Sequence, residues 1–130
     1  GCGYQSAVLS FFSEKVDAIE RIKPLVHKSR ENLSNLKINN VLFRHGDGYE
    51  DWDKQKKYDG ILCAAAPRAY PNDLVSILND DAKLVIPVGG SSQKLNVITK
   101  NKDGEIKEEQ YDDVSFVPML AGKSEDGNDV

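Results

Sequence analysis

Cysteine is scarce in this chain. Cys2 and Cys63 are the two in 130 residues, and the two histidines, His27 and His45, lie far from both in sequence. That excludes a disulfide scaffold, and no Cys/His pair has zinc-site spacing, so no metal site is expected. Long apolar runs are also lacking. None approaches the roughly 18 residues that a membrane-spanning helix needs, which argues against an integral membrane protein. There is no excess of positive charge: 17 Lys and Arg stand against 21 Asp and Glu, a net charge of −4. General affinity for nucleic acid phosphates or anionic lipid wants a basic face, so neither partner is expected. Internal repeats and low-complexity linkers are absent. What is present is 39% hydrophobic and 29% charged residues, enough apolar material for one core and one domain. A reducing cytoplasm fits the cysteine usage best.

The chain opens Gly1-Cys2-Gly3-Tyr4, without Met and without a hydrophobic signal segment. A glycine-rich turn normally follows a strand, and none precedes this one. We read the sequence as the downstream part of a longer protein that has its first strand elsewhere. Tyr4, Ala7, Val8, Phe11 and Phe12 recur at helical spacing and predict an amphipathic helix. Val16 to Ile19 predicts a short strand ending at Glu20. Ile22, Leu25, Val26, Ser29, Leu33 and Leu36 line a second helix with Pro24 in its first turn, where a missing N–H costs nothing. Val41 to Phe43 and Ile61 to Ala64 predict further strands. A helix through Leu74, Val75, Ile77 and Leu78 is expected to stop at Asn79-Asp80-Asp81 before a strand over Leu84 to Val88. Strands that alternate with helices imply a parallel sheet covered on both faces. The C-terminal pattern differs: strands over Leu95 to Thr99, Ile106 to Tyr111 and Val114 to Met119, the first two joined by an Asn101-Lys102-Asp103-Gly104 turn, predict antiparallel pairing. The fold class is α/β. Residues 1–120 are expected to form the domain, and residues 121–130 a flexible polar tail.

Three stretches carry chemistry. Gly1-Cys2-Gly3 opens a helix, where glycines let a ligand's anionic group approach free backbone N–H groups. Glu20 follows Gly3 by 17 residues and closes the next strand. An acid about 20 residues beyond such glycines accepts hydrogen bonds from ribose hydroxyls in doubly wound folds. Gly46-Asp47-Gly48 ends the following strand, where a carboxylate can accept from an adenine amino group. Together they predict a nucleoside-containing cofactor, without saying which. His45 neighbours the proposed adenine contact. Cys63 reads as a buried structural thiol, Trp52 as a packing aromatic and His27 as part of a solvated face. No Ser-His-Asp order or paired-carboxylate site stands out, so no catalytic residue is assigned.

With these residues laid out, the chain resembles the protein-L-isoaspartate O-methyltransferase family from Gly1 to about Leu120. The stretches that carry the resemblance are Gly1 to Leu9, Ile19-Glu20-Arg21-Ile22, His45-Gly46-Asp47-Gly48-Tyr49, Tyr58-Asp59-Gly60-Ile61, Ala64-Ala65-Ala66-Pro67, Leu84 to Gly89 and Phe116-Val117-Pro118-Met119. The glycine turn is common to class I methyltransferases; the other segments, in this order, are far more specific. The resemblance implies a Rossmann-like methyltransferase sheet, mostly parallel with antiparallel C-terminal strands. It implies S-adenosyl-L-methionine as cofactor and the free carboxylate of an L-isoaspartyl residue in a damaged protein as methyl acceptor, a repair role. Gly1 and Gly3 would hold the cofactor's methionine end, Glu20 the ribose hydroxyls, with Arg21 and Ile22 beside sugar and adenine, and Gly46 and Asp47 the adenine. The intact protein is expected to be a monomer.

The acceptor is already an anion at neutral pH, so no general base is needed to create it. One departure matters. The family's serine/threonine-rich loop and first strand, which come before the glycine turn, are not in this sequence. The first strand here would border an empty slot, and the 130 residues alone are expected to bind cofactor poorly and show no turnover. Isothermal titration tests this, and micromolar binding would contradict it. A nicotinamide-dependent oxidoreductase also uses a glycine turn followed by an acid, but Ser6 stands where the third glycine of its motif would be. A non-catalytic module that keeps the fold is the alternative from another class.

Overall fold

The computed structural model describes residues 1–127, and the last three residues of the expected tail lie outside them. Its elements run α1 (Tyr4–Ser10), β1 (Val16–Glu20), α2 (Lys23–Asn35), β2 (Val41–His45), β3 (Tyr58–Leu62), α3 (Asn72–Ser76), β4 (Leu78–Gly89), β5 (Gln93–Lys100) and β6 (Ile106–Val114). The chain divides into two compact units, Gly1–Trp52 with the C-terminal segment from Ala121, and Asp53–Leu120.

In the first unit β1 and β2 pair in parallel, from Val16 opposite Val41 to Glu20 opposite His45. The crossover between them is α2, whose buried face of Val26, Ser29 and Leu33 follows the predicted stripe. Val26, Leu33 and Phe43 form the core, with Ala7, Ala18, Ile38 and Val41 packed against it. Arg30 of α2 donates to the carbonyl of Phe43 at 2.7 Å, tying helix to strand. The first helix departs from expectation. Only Ala7 of its predicted apolar face reaches the core, while Tyr4, Phe11 and Phe12 are 76%, 77% and 83% exposed. For Phe11 and Phe12 the reason is length: α1 ends at Ser10, so both fall beyond it.

The segment expected to be a flexible tail is tied down as far as Gly127. Ser124 is buried and forms a parallel bridge with Ile22. Its N–H donates to the Arg21 carbonyl at 2.7 Å and its carbonyl accepts from the Lys23 N–H at 2.9 Å.

The second unit holds a four-stranded sheet ordered β3-β4-β5-β6, with β3–β4 parallel and the two later pairings antiparallel. Leu74, Leu78, Leu84, Ile86 and Ile98 are its largest fully buried aliphatic side chains. The Asn101 carboxamide oxygen accepts from the N–H groups of Asp103 and Glu105, shaping the predicted hairpin turn. Two boundaries shift. The predicted helix over Leu74 to Leu78 is a shorter α3, and β4 begins at Leu78, so Asn79-Asp80-Asp81 lies inside a strand. There Asp81 takes a positive φ of 63°, and the pairing slips between Tyr58 and Gly60. Val114 to Met119 is no strand: β6 ends at Val114 and only an isolated bridge joins Ala66 to Pro118, made by the Val117 carbonyl and the Met119 N–H.

The α/β class with parallel pairs and antiparallel C-terminal strands is as expected. Among the described residues the strands form two sheets, in which β1 pairs with β2 alone and β3 with β4 alone.

Candidate functional site

Parallel pairing of β1 and β2 puts their carboxyl ends side by side, which decides where the proposed residues go. Glu20 lies opposite His45, and the Gly46 N–H continues the ladder onto the Glu20 carbonyl at 3.0 Å. Gly46 and Asp47 therefore emerge beside Glu20 and Arg21. The glycine turn reaches the same end, for the Gly1 backbone nitrogen stands 2.6 Å from Glu20 Oε1. The other oxygen of Glu20 accepts from the Ile22 N–H at 3.3 Å, and the side chain keeps 21% exposure.

The turn itself is held by α2. Ser29 donates to the Gly1 carbonyl at 3.1 Å, and the Asn32 carboxamide donates to the Cys2 carbonyl at 3.0 Å. Gly3 adopts φ +92°, and a Cβ there would stand 2.8 Å from Leu33 Cδ1. Its glycine is thus required by the close approach of α2 and by its left-handed backbone. At Gly1, in contrast, nothing among the described residues lies within 4 Å of an added Cβ. Gly46 is closely packed: a Cβ would meet Asp51 Cβ at 3.0 Å and Ile19 Cγ2 at 3.3 Å.

Asp47 is buried. Its Oδ1 accepts from the Tyr49 N–H and its Oδ2 from the Gly122 N–H, both at 2.8 Å, while its own N–H donates to Asp51 Oδ2 at 2.6 Å. An ionised carboxylate offers about four acceptor positions, so two donors leave capacity for a third partner. Arg21 contributes its backbone carbonyl to the Ser124 N–H and to His45.

The structure thus gathers Gly1, Glu20, Arg21, Gly46 and Asp47 at one end of the β1–β2 pair, with Gly3 set back against α2. Sequence reasoning missed Ser29, Asn32, Asp51 and Ser124. Ser29 interrupting an apolar stripe, with Asn32 three residues on, was the one local signal for a helix that holds a turn; nothing around Ser124 announces its role. A cleft of about 400 Å³ between α1 and α2 is lined by Gly3, Tyr4, Asn32 and Leu36 among others, but it contains neither carboxylate. Among the described residues no cluster of His, Cys, Asp and Glu could hold a metal ion.

The two carboxylates offer acceptors of the kind that the hydroxyl and amino donors of an adenosine would need, and the turn at Gly1 and Gly3 carries no side chain. Comparison with known proteins agrees in kind. The chain is 41% identical over 123 residues to a protein-L-isoaspartate O-methyltransferase of Halorhodospira halophila, covering 95% of this chain and 56% of that one. A protein of the same name from Aliivibrio fischeri is 43% identical over 123 residues, with 95% and 59% covered. The chain therefore spans a little over half the length of these curated relatives. Among solved structures, a Plasmodium falciparum protein assigned as a protein-L-isoaspartate O-methyltransferase, in complex with S-adenosyl-L-homocysteine, superposes with a TM-score of 0.72 at 33% identity, over 82% of this chain and 52% of that one. The sequence profile described as protein-L-isoaspartate(D-aspartate) O-methyltransferase (PCMT) matches residues 1–124, and the chain belongs to that family.

Proposed function

We propose that the protein transfers a methyl group from S-adenosyl-L-methionine to the free carboxylate of L-isoaspartyl residues in damaged proteins, as a repair enzyme. The observation that carries this is the family match over residues 1–124. It favours a methyltransferase over the nicotinamide-dependent alternative. The site supports the cofactor half: Glu20 for the ribose hydroxyls, Asp47 with Gly46 for the adenine, Gly1 and Gly3 for the methionine end, and Arg21 beside the sugar. When bound, the cofactor supplies an activated methyl on its sulfonium. The protein's part is to align the two reactants and exclude water, which accords with the absence of an assigned catalytic acid or base. In this reading the protein works as a cytoplasmic monomer on isoaspartyl-containing proteins and peptides, without nucleic acid or membrane partners. No helix among the described residues is long and apolar enough to cross a membrane.

The test uses the isoaspartyl and aspartyl forms of one peptide with methyl-labelled cofactor. The chain is assayed alone and joined to the stretch of the Aliivibrio fischeri relative that it does not span. Label on the isoaspartyl peptide only, from the joined protein, is the expected result; label on neither peptide, or equally on both, contradicts the proposal.

A further inference from the structure

His45 ends β2 immediately before the Gly46-Asp47 pair, yet nothing above gives it a role. Its Nε2 lies 2.9 Å from the carbonyl oxygen of Arg21 and 2.9 Å from that of Ser124. Both neighbours are pure acceptors, so a bare Nε2 would face two lone-pair-bearing oxygens. Only an Nε2 that carries its proton, shared between the two, satisfies this geometry. The same two carbonyls already accept from the Ser124 and Lys23 N–H groups. The imidazole thus joins three pieces of chain: the end of β2, the turn after β1, and the segment containing Ser124. That segment in turn reaches Asp47 through the Gly122 N–H.

We propose that His45 is a positioning residue, whose shared Nε2–H fixes the Glu20-Arg21 turn relative to Gly46-Asp47 and so sets the spacing at which one adenosine meets both carboxylates. This rests on the cofactor reading above. The ring touches no ligand in this role; it acts through the backbone of Arg21 and Ser124. Leucine at position 45 would fill similar space without a donor. Glutamine would place an amide N–H₂ at similar reach and can donate to both carbonyls.

The experiment titrates the 130-residue chain, His45→Leu and His45→Gln with S-adenosyl-L-homocysteine, following amide NMR shifts, which read weak affinities as well as strong ones. The expected result is a loss of about tenfold in affinity for His45→Leu and recovery to within about threefold for His45→Gln. Unchanged affinity in His45→Leu, or a glutamine variant no better than leucine, overturns the proposal. Because the leucine variant risks misfolding, the long-range ¹H–¹⁵N spectrum of the unaltered chain gives a second reading. A proton on Nε2 is expected, and an imidazole protonated on Nδ1 alone overturns it. If the unaltered chain, joined to the stretch of the Aliivibrio fischeri relative that it does not span, also shows no shift changes with ligand, the cofactor reading itself falls, which is distinct from parent binding that the leucine variant keeps.

Discussion

Gly3 shows what a single position has to satisfy here. Its positive φ and the 2.8 Å approach of Leu33 Cδ1 to where a Cβ would stand together make a side chain here both strained and crowded against α2. Gly3→Ala is expected to cost about 1–3 kcal/mol of stability, measured by denaturant unfolding. The same alanine at Gly1, where nothing lies within 4 Å, is expected to leave the midpoint within experimental error. The two cysteines divide in a similar way. Burial pushes the Cys63 thiol up, only partly offset by a hydrogen bond with the Ala65 backbone, whereas Cys2 is exposed. A thiol reagent at pH 8 is expected to label Cys2 first and Cys63 at least about tenfold more slowly, as mass spectrometry of timed samples would show. At this scale Glu20 and Asp47 were legible because spacing along alternating elements fixes where strand ends fall. Asp51 was not, since its carboxylate accepts from a backbone N–H four residues back in a loop without periodicity, and Ser29 and Asn32 showed only as polar residues beside an apolar stripe, their partners lying 28 and 30 residues away.

At the scale of elements, α2 is the support for both the glycine turn and the first core. Leu33 touches Gly3 and packs with Val26 and Phe43, so Leu33→Ala is expected to cost about 2–5 kcal/mol, again by denaturant unfolding. The sequence pattern located α2, β1 and β2 well, through the residues that do reach the core, Val26, Ser29, Leu33 and Phe43, although Leu36 and Leu42 are left exposed. It misjudged α1, whose aromatic residues have the right spacing but too little helix beneath them, and β4, where polar Asn79-Asp80-Asp81 is carried inside a strand by a positive φ. It misjudged the segment around Ser124 most, since that segment docks through backbone groups and its composition is that of a solvated terminus. One exposed ion pair assists this docking. A hydrogen bond from Lys23 at 2.9 Å, and then its charge, lower the Glu125 carboxyl from its ordinary value. A depressed folded-state pKa means that this contribution is present above the unfolded-state pKa and lost as pH falls through the folded one. Being fully exposed, the pair is also screened by salt. Limited proteolysis after residue 120 is expected to quicken in acid, with Glu125→Gln cleaved faster at pH 7 and showing less dependence on pH; identical profiles for the two would contradict this.

Across the whole chain, β1 and β3 each have a single partner strand among the described residues, and the chain divides between them into two units. The alternation of strands and helices made the α/β class legible, but pattern alone cannot say which strands pair, so the division into two sheets was not. The proposed cofactor residues all belong to the first unit, which makes its strand ends the place to test. The most direct measurement is an NMR titration of the chain with S-adenosyl-L-homocysteine and with the matching compound whose base is hypoxanthine, which lacks the amino donor. The account predicts shift changes centred on Glu20, Arg21, Gly46 and Asp47, with about tenfold weaker binding of the hypoxanthine compound because Asp47 loses its donor. Equal affinity for the two, or shifts centred on the cleft between α1 and α2, would contradict it.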